Sequence, residues 1–225
     1  MSEEKTLALI HTSMVFVKVE TMMSNLFREI IPGVRLINIV DDSLLPDVMS
    51  AGMISDAVQE RMNLYVESAE KTGANAVFSL CSSLGPTIDA ARQQVGIPVV
   101  KIDDAMAMET VRLASRIGVM ATVETTLQPT CDLIAEKATE AGKQVEITPH
   151  LVGGAFEMLM GGGKETHDSM VESDAIELAK NVEIIVFAQA SMTRLAPHIT
   201  ESIGKPVLTS PRLGIEYVKK VLENS

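Results

Sequence analysis

An offset of 108 residues lays the middle of this chain on its C-terminal part, and that repeat restricts the fold to two similar halves. Gly96-Ile97-Pro98-Val99-Val100 falls on Gly204-Lys205-Pro206-Val207-Leu208, and Ala76-Val77-Phe78 falls on Ile184-Ile185-Val186. In the same register Cys81 meets Gln189 and Ser83 meets Ser191. A nearby offset lays Leu7-Ala8-Leu9-Ile10-His11-Thr12 on Ile117-Gly118-Val119-Met120-Ala121-Thr122. Each identity is weak by itself; the shared register is the evidence for a duplication.

Short Val- and Ile-rich runs alternate with longer segments of helical period, the pattern of βα units around a parallel sheet. Strands are expected at 7–12, 34–40, 76–80 and 98–102, and again at 117–122, 144–148, 183–188 and 206–209. Helices are expected at 15–30, at 47–71 with a break near Gly52, and at 104–115, 129–141, 167–180 and 211–222. Pro129 and Pro211 each suit a first helical turn, where a missing N–H costs nothing. The fold class is therefore α/β, in two lobes each built on a four-stranded parallel sheet flanked by helices. Lobe one takes residues 1–102 plus 209–225, and lobe two takes 103–208.

Composition removes several functions. A net charge of −11 repels phosphate backbones, and 3% aromatic content with no Trp leaves few stacking platforms, so no nucleic-acid partner is expected. No apolar run approaches the length of a bilayer span, and the N-terminus lacks the basic and apolar regions of a signal peptide. Two cysteines cannot build a disulfide framework and suit a reducing cytoplasm. The four histidines show no i, i+4 pair and neither cysteine has a Cys-x-x-Cys partner, so no metal site is expected. The apolar surplus and 14 methionines allow a homo-oligomer.

In parallel α/β sheets ligands sit beyond the carboxyl ends of the strands. Cys81 stands there, after Ala-Val-Phe-Ser-Leu and before Ser82-Ser83-Leu84-Gly85-Pro86. Exposed backbone N–H groups and a helix start lower a thiol's pKa, fitting it as general base or nucleophile. The competing reading is a buried structural thiol. Cys131 lies in the first turn of the helix expected from Pro129 and is read as core. Ser82 and Ser83, with Thr122, Thr125 and Ser191, supply N–H and O–H donors for a carboxylate, or are simply turn formers and caps. Gly161-Gly162-Gly163-Lys164 lacks the spacing of a phosphate loop and has Glu165 where Ser or Thr is needed, so it reads as a lid or connector.

The duplication, the segment Ser79-Leu80-Cys81-Ser82-Ser83-Leu84-Gly85 and the segment Ile117-Gly118-Val119-Met120-Ala121-Thr122-Val123-Glu124-Thr125 resemble the aspartate/glutamate racemase superfamily. That superfamily includes hydantoin racemases, maleate isomerases and arylmalonate decarboxylases, and the likeness covers nearly the whole chain. It implies two pseudo-symmetric flavodoxin-like lobes facing each other, no cofactor, and two cysteines flanking the substrate's α-carbon. Cys81 matches the first. Ser82 and Ser83 match the carboxylate-holding groups, Thr122 and Thr125 the Gly-Thr-x-x-Thr stretch, and His11 and Thr12 the polar pair after the first strand, with His11 as partner to Cys81. The second cysteine falls on Gln189, which has no pKa in a usable range and cannot shuttle protons, followed by Ala190 and Ser191.

Three functions follow. The first is an isomerase or racemase-like enzyme using Cys81 alone at the carbon α to the carboxylate of a small acid, with Gln189 donating to the developing charge. The second is a lyase releasing carbon dioxide from a malonate-like acid, with Cys81 as proton donor. The third is a small-carboxylate binding protein without chemistry.

Overall fold

The computed structural model describes residues 4–14, 17 and 21–225. The chain divides into two compact units, Met1–Ile102 with Pro211–Ser225, and Asp103–Ser210.

The first unit contains β1 (Thr6–His11), α1 (Met22–Ile30), β2 (Arg35–Val40), α2 (Leu44–Ala51), α3 (Asp56–Lys71), β3 (Ala76–Ser79), α4 (Gly85–Ala91) and β4 (Val99–Lys101). Its sheet is all parallel in the order β2-β1-β3-β4. The second unit repeats that order as β6-β5-β7-β8. Its elements are α5 (Asp104–Leu113), β5 (Arg116–Ala121), α6 (Glu124–Glu140), β6 (Glu146–Leu151), α7 (Ala155–Met160), α8 (Lys164–Leu178), β7 (Ile184–Phe187), α9 (Ala196–Ile203) and β8 (Val207–Thr209). Helix α10 (Ser210–Glu223) then carries the chain back into the first unit. The order 2-1-3-4 is the start of a flavodoxin-like sheet, with its topological switch point between the first and third strands.

The central strands β1, β3, β5 and β7 arise where apolar residues can be buried on both faces, as parallel sheets require, while β2 and β6 are partly exposed edges. In the first unit Ala8, Ile10 and Val77 pack on one face with Val58, Met62 and Ile88. Leu7, Leu9 and Phe78 pack on the other with Phe27, Ile215 and Val218. Burying Phe78, which exposes nothing, is worth roughly 2–3 kcal/mol. In the second unit Met120, Ile185 and Phe187 pack with Val171, Ala175 and Ile199.

The break expected near Gly52 is present: Gly52 turns left-handed at φ 67°, Ser55 restarts the chain as an N-cap accepting from Val58 N, and the first piece starts at Leu44 rather than Asp47. Two other helix expectations change. The helix expected from Pro129 begins at Glu124, whose carboxylate suits the positive end of the helix, so Pro129 lies inside and forgoes one backbone hydrogen bond. The helix expected from His167 begins at Lys164. The expected helix 15–30 is described from Met22, with Thr21 as its N-cap; its earlier part lies outside the described residues except Val17. Helices α4, α7 and α9 complete the βα units. No helix among the described residues is long and apolar enough to cross a membrane.

Candidate active site

The first unit's corner is built where β3 runs out. Cys81 is extended at φ −142° and ψ 114°, and Ser82–Leu84 then turn as a short 3-10 segment into α4. Its side chain is half-buried and packs on the face of Ala8, Ile10 and Val77. Ser82 is half-buried and Ser83 is buried beside it. In register Ile10 pairs with Ser79, and Leu80 N donates to Ile10 O at 3.1 Å. Two residues further on, Thr12 is level with Cys81. The thiol thus stands at the β1/β3 switch point, where such sheets open to ligands.

His11 is not placed to serve that thiol. It is the last residue of β1, and alternation turns it to the face of Leu9 and Phe27, opposite Cys81. There its Nε2 donates to Asn38 Oδ1 at 2.9 Å, while Nδ1 is buried without a partner among the described residues. Both side chains line a cavity of about 240 Å³ with Phe27, Leu36 and Arg28. Burial holds the imidazole below its ordinary pKa, against the Asn38 hydrogen bond that raises it. The unfolded chain therefore takes up a proton at His11 before the folded chain does. Stability is expected to fall as pH drops below about 6.5, down to the folded pKa. Urea titrations of His11→Leu should show a shallower acid slope over that interval than the wild type.

The second unit's corner has the same register, with Met120 pairing Phe187, so Thr122 is level with Gln189. Here the pair touches. Gln189 Oε1 accepts from Thr122 N, from Val123 N at 3.0 Å and from Thr122 Oγ1 at 3.1 Å. Three donors fix which end of the carboxamide is oxygen. Thr125 is half-buried in the first turn of α6, and Ser191 is half-buried in a 3-10 turn, Ala190–Leu195, that follows Gln189.

That turn is clamped from behind. Arg194 donates through Nη1 and Nη2 to the two oxygens of Asp168 on α8, which also accepts from Lys164 and from buried His167. The Arg194 guanidinium holds the Asp168 carboxyl well below the usual carboxylate range, against its partial burial. The linked stability is present above about pH 3.8 and lost as pH falls below it. Both groups keep some solvent contact, so Arg194→Ala is expected to cost about 1 kcal/mol at pH 7 and to flatten the acid limb of a denaturation series.

Lys101 is a residue that sequence reading passed over. It ends β4, is 3% exposed, and donates to both Asp89 oxygens on α4 at 2.8 and 2.9 Å. A Cβ at Gly85 would lie 3.5 Å from its Cδ. Its stem therefore supports the turn that carries Ser82 and Ser83. The signal was a charged residue closing the apolar run Pro98-Val99-Val100 at the carboxyl end of a strand.

Cys131 lies in the third turn of α6, not the first, because that helix starts five residues before Pro129. It is buried, and burial together with Asp132 pushes its thiol up to about 11. His150 pairs with Asp174 at 2.7 Å and His198 with Glu172 at 2.8 Å. Among the described residues no group of three His, Cys, Asp or Glu side chains is placed to hold a metal ion.

Twin parallel α/β units of the same strand order, one with a thiol just past its third strand, define the class of protein: a duplicated α/β fold. The comparisons with known proteins narrow it. The model of the Asp/Glu/hydantoin racemase family matches residues 17–218, and the chain belongs to that family. The structure is similar to allantoin racemase from Klebsiella pneumoniae, at 16% identity, with 98% of this chain and 89% of that one covered and a TM-score of 0.72. It is also similar to a glutamate racemase isoform from Bacillus anthracis, at 17% identity, 98% and 82% coverage and a TM-score of 0.71. Arylmalonate decarboxylase aligns at 16% identity over 96% and 92% of the two chains, with a TM-score of 0.61. At such identities these structures share the fold. The search of curated proteins returns no match.

Proposed function

We propose that the protein is a cofactor-independent isomerase or racemase-like enzyme acting at the carbon α to the carboxylate of a small acid, with Cys81 as its one reactive thiol. The observation that carries this reading is the half-buried Cys81 at the β1/β3 switch point, level with Thr12 and followed by Ser82 and Ser83.

In the proposed reaction the Cys81 thiolate takes the α-proton, and the C–H electron pair moves into the carboxylate to give an enediolate. Thr12, Ser82 and Ser83 supply the donors for the carboxylate at this corner. Stabilisation of developing charge by such oriented groups is usually the largest catalytic contribution. The Cys81 S–H then returns a proton either to a different carbon of the conjugated system, which shifts a double bond, or to the opposite face of the α-carbon after the planar enediolate has turned over at the thiol, which inverts it. At the other corner Gln189 Oε1 already takes the Thr122 N–H and hydroxyl, so the Gln189 carboxamide N–H groups, Thr125 and Ser191 form its donor set, and Gln189 enters as hydrogen-bond donor only, because a carboxamide neither gains nor loses a proton in the working pH range. His11 has a separate environment and takes no part in this step. A reducing cytoplasm would keep Cys81 a thiol.

The test is proton exchange in deuterium oxide with malonate-, aspartate- and maleate-like acids. Deuterium uptake at the α-carbon without loss of carbon dioxide supports the proposal. A specific observation favours a second reading: Gln189 stands where a second thiol would, and a lyase needs only one, since the departing carboxylate replaces proton abstraction. Carbon dioxide release with one deuteron incorporated would establish the lyase. Binding without either reaction, unchanged in Cys81→Ala, would leave a carboxylate-binding protein.

A further inference from the structure

Cys81 and Gln189 hold the same place in their units, by sequence offset and by strand register alike. Their side chains treat that place differently. The longer Gln189 reaches across the switch point, and its Oε1 gathers the N–H groups of Thr122 and Val123 and the Thr122 hydroxyl. Consecutive backbone N–H groups aimed at one point form an anion-binding concavity. In this unit that concavity already holds an oxygen, and the oxygen belongs to the protein.

We infer that Gln189 is a positioning residue that acts as a built-in ligand, filling the β5/β7 oxyanion nest so that the nest does not accept a substrate carboxylate. Two consequences follow from the geometry. The ends of β5 and β7 are tied together by a side chain, with Gln189 spanning 66 and 67 residues of sequence to its donors. With Oε1 turned inward, the carboxamide's two N–H donors are the groups this corner presents. Selection of the acid's carboxylate then falls to the Cys81 corner, a consequence that rests on the proposed function; the occupancy of the nest does not.

The test uses full-length ¹⁵N-labelled protein, with malonate as the probe and the Thr122 and Val123 backbone amides as reporters. In the wild type these two resonances are expected to stay in place as malonate is added, and their amide protons to exchange slowly. Gln189→Ala removes the plug and Gln189→Asn retracts it by one methylene. In both, the two amides should shift saturably with malonate, at an apparent affinity at least about tenfold above the wild type's, and exchange about tenfold faster. Gln189→Glu restores an oxygen at the same reach and should silence the response again. A merely structural role would alter stability without making these two amides report malonate.

Saturable shifts of Thr122 and Val123 in the wild type would overturn the inference, as would silence in both Gln189→Ala and Gln189→Asn, or a full response in Gln189→Glu. Because the readout is not turnover, it separates this inference from the assignment of Cys81. Loss of all exchange activity would sink that assignment and leave the nest measurement standing.

Discussion

Cys81→Ser is expected to lower α-proton exchange by about 10³-fold or more while leaving the melting temperature within a few degrees. A hydroxyl occupies nearly the same space at the end of β3, so packing on Ile10 and Leu84 is retained. What is lost is an acid–base group whose pKa can approach the working pH, and a positioned general base is worth roughly 10²–10⁴-fold. Cys131→Ala is the paired control. That thiol is buried in α6 and held near 11, so its removal should cost stability and leave exchange unchanged. Single-turnover exchange in deuterium oxide, run beside thermal melts of both variants, distinguishes chemistry from folding. Equal loss of exchange in the two variants would show that Cys81 is not the reactive thiol.

Gly214→Ala should produce the largest stability loss of any single methyl addition in the first unit. A Cβ there would sit 2.5 Å from Ile102 O and 3.0 Å from Phe78 Cζ. The first of these atoms is backbone at the end of β4 and cannot swing aside. Helix α10 must therefore lift off the sheet, disturbing the contacts of Ile215 and Val218 with Leu7 and Leu9. Overpacking of this kind costs about 1–3 kcal/mol, at the upper end where backbone is struck. That corresponds to a fall of about 6–12 °C in the melting temperature of a chain this size. Gly33→Ala, at a glycine with open space around its missing Cβ, should shift the melt far less. A Gly214→Ala melt indistinguishable from wild type would mean that α10 does not approach β4 so closely.

Sequence periodicity was strong where the physics is strong. The Val- and Ile-rich runs announced the central strands, because strands buried on both faces need an unbroken apolar ladder; the half-exposed edge strand β6, Glu146-Ile147-Thr148-Pro149-His150-Leu151, lacks such a run and extends three residues past the expected 144–148. The unbroken burial of the central strands hid the orientation of His11. In Leu9-Ile10-His11-Thr12 both faces are buried, so no polar–apolar alternation tells which side the imidazole takes. Cys81 and Gln189 were readable as equivalent positions from the shared offset, yet the reach of Gln189 to Val123 depends on strand register and was not. Helices α4, α7 and α9 are too short to show periodicity, and α4 opens with Gly85-Pro86, a pair that reads as a turn. Pro129 misled because proline usually marks a helix start, whereas the favourable charge at Glu124 and the chain leaving β5 fix the start earlier.

The return of α10 to the first unit has a consequence for how the chain becomes native. Ile215, Val218 and Leu222 close one face of a sheet whose strands all precede residue 103, with the entire second unit inserted between. During synthesis the inserted unit is complete while the earlier half still lacks part of one wall, with Leu7, Leu9 and Phe78 covered only from the α1 side by Met23, Phe27 and Ile31. The half that emerges first is thus the half that matures last, and the final fifteen residues act as the latch that ends its wait.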